Sequence, residues 1–344
     1  MATTGNAIVA VDLASVWGTA VDVNGAGKGA YLTDIPEVLT IEQLIDDSIG
    51  RIWPECFDLG KRNINLNLGA YARFDGPLWE MIALCIGDDA VTNLGGGEYN
   101  HIMAVQTTNN GLFQTLAYYD GTVVREIPTF KMSGFTIKGS AAGMLELNLR
   151  GIGNIVRDTG QVNTTLGSVT ITTPCNRIPF NAQLYLADED GAAFDSGDLV
   201  QASEVEFSFD RNLTPDFTTN NTLFQSAEPY EVGQPKTELK LLFPKTPIVN
   251  YPSARQDFLN GVTKRAQITF YGSLIGSNYY NLIIQCPSLL ISALDSPLEK
   301  DNQQIPQAIT FTGLKTATAP NDMSGLTNPF RLSLTNTNSS AYDT

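Results

Sequence analysis

The sequence predicts an all-β fold with small flanking helices. Three observations carry that prediction. Apolar residues recur with a period of two in several segments, helix-spaced apolar runs are few and short, and charged residues make up only 17% of the chain. Side chains on a strand point alternately to its two faces, so a period of two marks strands with one face packed and the other against water or a neighbour. Such alternation belongs to antiparallel sheets, which build sandwiches and barrels. With so few charges, Asn, Thr, Ser and Gln must cover much of the surface.

In chain order, Ile41–Ile49 is a short helix candidate. In Asn63–Leu68, Ile64, Leu66 and Leu68 oppose Asn63, Asn65 and Asn67. Pro77–Ile86 starts with Pro at a first helical position and stops before Gly87, which predicts a helix. Leu145, Leu147 and Leu149 oppose Glu146, Asn148 and Arg150; Val205, Phe207 and Phe209 oppose Glu204, Glu206, Ser208 and Asp210. Ser253–Val262 offers a Ser cap and helix-spaced Phe258, Leu259 and Val262, and Gln267–Tyr271 alternates again.

The two stronger helices sit alike. Each follows an alternating strand, Asn63–Tyr71 or Glu238–Phe243, and each precedes further strands. This predicts an internal duplication with its boundary in the Thr/Asn/Gly-rich stretch Thr159–Thr173. The expected domains are 1–160, within which residues 1–60 fit the pattern poorly, and 161–316, followed by a C-terminal arm, 317–344. Leu213–Gln234 and Ala317–Thr344 read as long polar loops. The alternating Phe330, Leu332 and Leu334 mark the second as a candidate arm that adds a strand to a neighbour's sheet.

A chain of 344 residues suits one large or two ordinary domains. Its net charge of −15 argues against gripping nucleic acid, which calls for a basic footprint. The four cysteines, Cys56, Cys85, Cys175 and Cys286, are scattered without a CxxC pair, so buried free thiols are expected. No charged leader precedes an apolar stretch, and no apolar run approaches the ~20 residues of a membrane span. The chain is therefore expected to be made in a cytoplasm without membrane insertion.

Motifs for chemistry are weak. Gly25–Gly29 (GAGKG) lacks the spacing of a phosphate-binding loop and the Ser or Thr after Lys28. Gly95–Gly97 has no lysine. Asp188, Asp190 and Gly191 form part of a calcium pattern without its closing Glu. His101 is the sole histidine and reads as structural, and nothing resembles GxSxG. No enzyme and no cofactor are expected. From Asp188 to Asp210 there are eight acidic residues and no basic one. They are either a solvated face, or, for Glu204, Glu206 and Asp210, a candidate lumen-facing wall.

The order of segments resembles the tail tube proteins of long-tailed phages over about residues 60–315. Asn67–Gly87 (NLGAYARFDGPLWEMIALCIG) is similar to the family's strand, short link and small helix ending in Gly. Phe130–Gly151 (FKMSGFTIKGSAAGMLELNLRG) resembles its central hairpin, and Ala202–Leu213 (ASEVEFSFDRNL) its next alternating strand. Glu228–Phe243 and Phe258–Phe270 continue the pattern. Tyr280–Ser288 (YNLIIQCPS) and Ile305–Leu314 (IPQAITFTGL) resemble the closing strands.

The resemblance implies a β-sandwich or barrel with a flanking helix, whose sheets join those of neighbouring subunits edge to edge into one inner barrel. Some members carry two such domains in tandem and form homotrimeric rings with pseudo-sixfold symmetry, while single-domain members form hexamers; the length of this chain favours trimers. The implied partners are copies of itself and other tail proteins at the tube ends, with double-stranded DNA passing during genome ejection without specific binding. The implied location is the virion tail, after synthesis in the host bacterial cytoplasm. The family has no catalytic residues to carry over. The alternatives are another virion or tail-tip protein, a surface adhesin, or a glycosidase using its acidic residues.

Overall fold

A computed structural model describes residues 8–35, 37–45, 57–119, 123–158, 169–171, 176–218, 225–244, 253–295 and 307–343. The fold is mostly β. Its first strands are β1 (Ile8–Ala14), β2 (Gly25–Tyr31), β3 (Glu37–Ile45) and β4 (Phe57–Tyr71), followed by helix α1 (Leu78–Ile86). Then come β5 (Ala90–Gly95), β6 (Glu98–Ala104), β7 (Phe113–Tyr119), β8 (Val124–Ser140), β9 (Glu146–Gly153) and β10 (Val169–Ile171). The chain continues with β11 (Ala182–Asp188), β12 (Leu199–Val200), β13 (Glu204–Asp210), β14 (Leu213–Asp216), β15 (Ala227–Glu231) and β16 (Lys236–Phe243). Helix α2 (Ala254–Asn260) precedes β17 (Thr263–Leu274), β18 (Tyr279–Asp295), β19 (Gln307–Leu314) and β20 (Arg331–Asn336). All strands but the β14–β15 hairpin join one large, mainly antiparallel sheet, which does not close into a barrel within the chain.

The same pairings occur twice. β1 pairs with β2 and β7, as β11 pairs with β12 and β17. β7–β8 shifts register between Gln114 and Leu116, and β17–β18 shifts between Lys264 and Ala266. β8–β9 shifts between Met132 and Gly134, and β18–β19 between Ile291 and Ala293, so Ser133 and Ser292 are matching bulge residues. β9–β4–β3 and β19–β16–β13 complete the two sets. Each helix lies between corresponding strands and ends at a left-handed glycine, Gly87 or Gly261, where a side chain would be strained. A bulge adds one residue and resets which side chains face inward, so matched bulges keep the two sets in register with their cores.

Alternating residues fill the interior. Ile64, Leu66 and Leu68, Leu147 and Leu149, Phe207 and Phe209, Leu239 and Leu241, and Ile309 and Phe311 are all buried. Helix α1 is buried along its length, whereas α2 buries only Ala254.

Three local expectations are corrected. The helix expected at Ile41–Ile49 is strand as far as Ile45, and its remainder lies outside the described residues. Helix-compatible spacing of Ile41, Leu44 and Ile45 is overridden because the long β4 offers a backbone ladder from Glu37↔Leu66 to Ile45↔Phe57. Leu213–Gln234 is not wholly loop: β14 and β15 form a hairpin, although residues 219–224 lie outside the described set.

The third correction concerns the arm. Phe330, Leu332 and Leu334 are fully buried in the chain's own core, and β20 pairs with β18 on one edge and β6 on the other. Alternation that suits addition to a neighbour's sheet serves equally to fill a central slot in its own. Residues 338–343 then close over the sheet. His101 Nδ1 meets Asp89 Oδ2 at 2.8 Å, His101 Nε2 lies 3.0 Å from the Asn338 carbonyl, and the Tyr342 amide donates to Asp89 at 2.8 Å.

Candidate functional site

Glu204, Glu206 and Asp210 lie on one face of β13, with Val205, Phe207 and Phe209 buried on the other. β13 is the seam of the molecule. One edge pairs with β16 and the other with the end of β8, from Glu204↔Ser140 to Asp210↔Gly134. Eight strands thereby form a continuous antiparallel run, β3–β4–β9–β8–β13–β16–β19–β18. Their outward side chains make one polar face that includes Asn65, Asn67, Asn148, Thr136, Ser208 and Thr310.

The three carboxylates are not an unopposed acidic wall. Lys138 Nζ lies 2.9 Å from Glu204 Oε1 and 3.5 Å from Glu206 Oε2, and Arg150 approaches Asp210 at 3.5 Å. Glu206 also stands opposite Lys240, and Asp210 opposite Lys236. With Glu146 and Glu238 included, five carboxylates share the part of the face built by β8, β9, β13 and β16 with four cations. The alternation of each strand was readable in sequence. The neutralising partners were not, because strand pairing brings together residues far apart in the chain, as Lys138 and Glu206 are. In the same way, the acidic cluster before β13 is partly paired: Lys264 Nζ is 2.5 Å from Asp188 and 2.9 Å from Asp257, and Ser288 donates to Glu189. Among the described residues no group of three or more His, Cys, Asp or Glu side chains is placed to hold a metal ion.

The seam is braced from inside by buried cations. Arg211, fully buried, donates to the carbonyls of Cys85, Ile86 and Gln106 and to Glu231 Oε1 at 2.6 Å, so it closes the C-terminus of α1. Lys131 reaches Glu228 Oε1 at 2.6 Å, and burial lowers its pKa while that carboxylate opposes the shift. Trp17 Nε1 donates to the Ser226 carbonyl. These contacts fasten the β14–β15 hairpin across the end of the preceding strand set. The hairpin in turn meets β4, where Lys61 lies over the Phe217 ring and Arg62 bridges to Gln225. Sequence inspection missed Arg211 and Lys131; Lys131 is signalled only as a cation between Phe130 and Met132 in β8, and Arg211, just past the end of β13, has no comparable signal.

The two end strands of this run each leave an edge open. β3 pairs with β4 along one edge, and no described strand occupies the other. β18 is bound by β17 as far as Leu290; beyond it, Ser292–Asp295 keep β19 on one side and no described strand on the other. In the first strand set the matching stretch of β8 is the one that pairs with β13. The β3–β4 hairpin extends past the core with Leu39, Ile41, Leu44, Ile45 and Phe57 all exposed.

Cys85 and Cys286 are buried free thiols whose pKa values burial pushes up to about 12, so neither is a nucleophile; Cys56 and Cys175 lie outside the described residues. His101 is enclosed, with both ring nitrogens engaged. No described helix is long and apolar enough to cross a membrane. Comparison with models of protein families and with curated proteins gives no match for this chain.

Proposed function

We propose that the chain is a non-enzymatic structural subunit of a phage tail tube, with two tandem tail-tube domains, three copies of which close a ring of pseudo-sixfold symmetry. One observation carries the reading. The strand run β3–β4–β9–β8 is followed by an equivalent run, β13–β16–β19–β18, and the two are joined through β8–β13. The outer edges left over are those of β3 and β18, the counterparts of the two strands already joined at the seam. Each run has four antiparallel strands, so successive runs keep the same direction and β18 meets the β3 of a second copy antiparallel, as β8 meets β13. The seam register, Gly134↔Asp210 and Phe135↔Phe209, translates to Ala293 opposite Thr40 and Leu294 opposite Leu39 of the neighbour.

Open strand edges are templates for pairing with another chain, and a head-to-tail contact that closes the ring pairs both end edges of the run. The continuous polar face, nearly balanced in charge, suits the wall of a channel past which a polyanion moves without being held. The subunits would stack into the tail of the virion, with other tail proteins at the ends.

Sedimentation and negative-stain microscopy of the purified chain at rising concentration test the reading. Rings with three-fold symmetry and six similar lobes, stacking into hollow tubes, are expected. A chain that stays monomeric throughout would sink it.

A further inference from the structure

We infer that the exposed apolar end of α2 is the seat of the neighbouring copy's β3–β4 hairpin. The inference rests on the ring reading above and adds a contact that strand-edge pairing alone does not require. Within the chain, the strand that crosses the seam does not stop at Asp210. It continues into Arg211, which closes the C-terminus of α1 at Cys85 and Ile86, and then into the β14–β15 hairpin. That hairpin lies over the end of the first strand set and is held there by Lys131, Gly111 and Trp17.

The repeat maps the seam strand, its hairpin, the helix end and Lys131 onto the open edge. Asp210 corresponds to Thr40, so Arg211 corresponds to Ile41, and the β14–β15 hairpin to the overhanging β3–β4 hairpin. The C-terminus of α1, before Gly87, corresponds to Leu259 and Asn260 of α2, before Gly261, and Lys131 corresponds to Leu290.

The chemistry changes in step on both sides. In the internal seam a buried guanidinium and a buried ammonium meet Glu231 and Glu228. In the open counterpart the cations are replaced by Ile41 and Leu290, and the surfaces that would meet are apolar. Leu259 is 67% exposed and Phe258 41% exposed on α2; Ile41 is 40%, Leu44 51% and Ile45 53% exposed on the hairpin. Apolar groups left in water on both partners gain on mutual burial. The occupant of the α2 surface is therefore a second copy of this chain in the same ring, and the hairpin reaches sideways across the seam rather than along the tube axis.

Cysteine pairing reads this contact directly. The double variant Ile41→Cys/Leu259→Cys, mildly oxidised under assembling conditions, is expected to give covalent chains up to the closed ring on a non-reducing gel. The parent chain and the two single variants, which share its native cysteines, should stay largely monomeric on the same gel. Leu259→Asp and Ile41→Lys, both at exposed positions, should each raise the concentration for half-assembly at least ten-fold, and their combination should recover most of that loss. If tubes form normally but the double variant cross-links no more than the singles, the docking is wrong and the ring reading stands. Should the parent chain remain monomeric with no cross-links, both fall.

Discussion

The ring of Phe330 stands edge-on to that of Phe207, with centroids 5.0 Å apart, and Phe209 and Phe135 complete the cluster around it. This contact ties the last strand to the seam strand. Truncation after Lys315 removes β20 and with it Phe330, Leu332 and Leu334, all fully buried. The truncated chain is expected to be insoluble or unfolded rather than a folded subunit that stacks poorly. Leu332→Ala alone should destabilise by about 2–5 kcal/mol, the usual cost of emptying a packed site. Urea denaturation followed by tryptophan fluorescence checks the point variant; a soluble, cooperatively folding truncation would contradict the placement of β20.

Arg211 carries the next prediction. Its guanidinium serves three carbonyls and one carboxylate at once. Arg211→Met leaves those acceptors without a donor and should cost about 3 kcal/mol or more. Arg211→Lys should recover little, since an ammonium lacks the planar fork that spans these acceptors. Equal stability of the Lys variant and wild type in chemical denaturation would show that charge alone matters there.

Glu80 makes stability depend on pH. Burial pushes its pKa up from 4.5 to about 7, and Lys28, 3.7 Å away, only partly opposes this. The folded state thus keeps a proton that the unfolded state gives up between pH 4.5 and 7. Over that interval the unfolded state binds fewer protons, so this residue makes stability fall as pH rises, with no further change above about 7. Glu80→Gln should remove that slope. The variant's stability relative to wild type should rise across the window and level off at a gain of up to about 3 kcal/mol, less whatever Lys28 loses as a partner. Thermal melts from pH 4.5 to 8 measure it; a constant difference across the window would show that Glu80 does not titrate there.

The β class, both stronger helices and the main alternating strands were legible, because periodicity follows directly from which side chains are buried. Ile41–Ile45 misled because five residues with apolar side chains at 41, 44 and 45 satisfy a helix as well as an edge strand, and only β4 decides between them. Phe330–Leu334 misled for a related reason: alternation reports a buried face, not whose core buries it. The neutralising partners of Glu206 were out of reach, since Lys138 and Lys240 come to it through two separate ladders. The matched bulges at Ser133 and Ser292 show why the repeat is faint in residue identities. Backbone register is kept, while the side chains around it differ, as Lys131 and Leu290 do.

The polar face supplies the last prediction. Replacing Glu204, Glu206 and Asp210 with lysine leaves Glu146 and Glu238 as the carboxylates of its β8, β9, β13 and β16 part against seven cations. New lysines would stand opposite Lys138, Lys240 and Lys236, and each like-charge pair should cost roughly 0.2–1 kcal/mol, toward the low end because these side chains are partly solvated. The triple variant should therefore fold with a modest loss, recovered in part at high salt. If the face lines a channel, passing DNA would now release counterions to it and be held, with a binding constant that falls steeply as salt rises. Virions shown to carry the variant tube should eject their genome more slowly at low salt and approach wild-type rates as salt increases, since the Debye length shortens to about 3 Å at 1 M. Wild-type ejection at low salt from such virions would instead put this face on the outside of the tube, because a reversed charge there never meets the DNA.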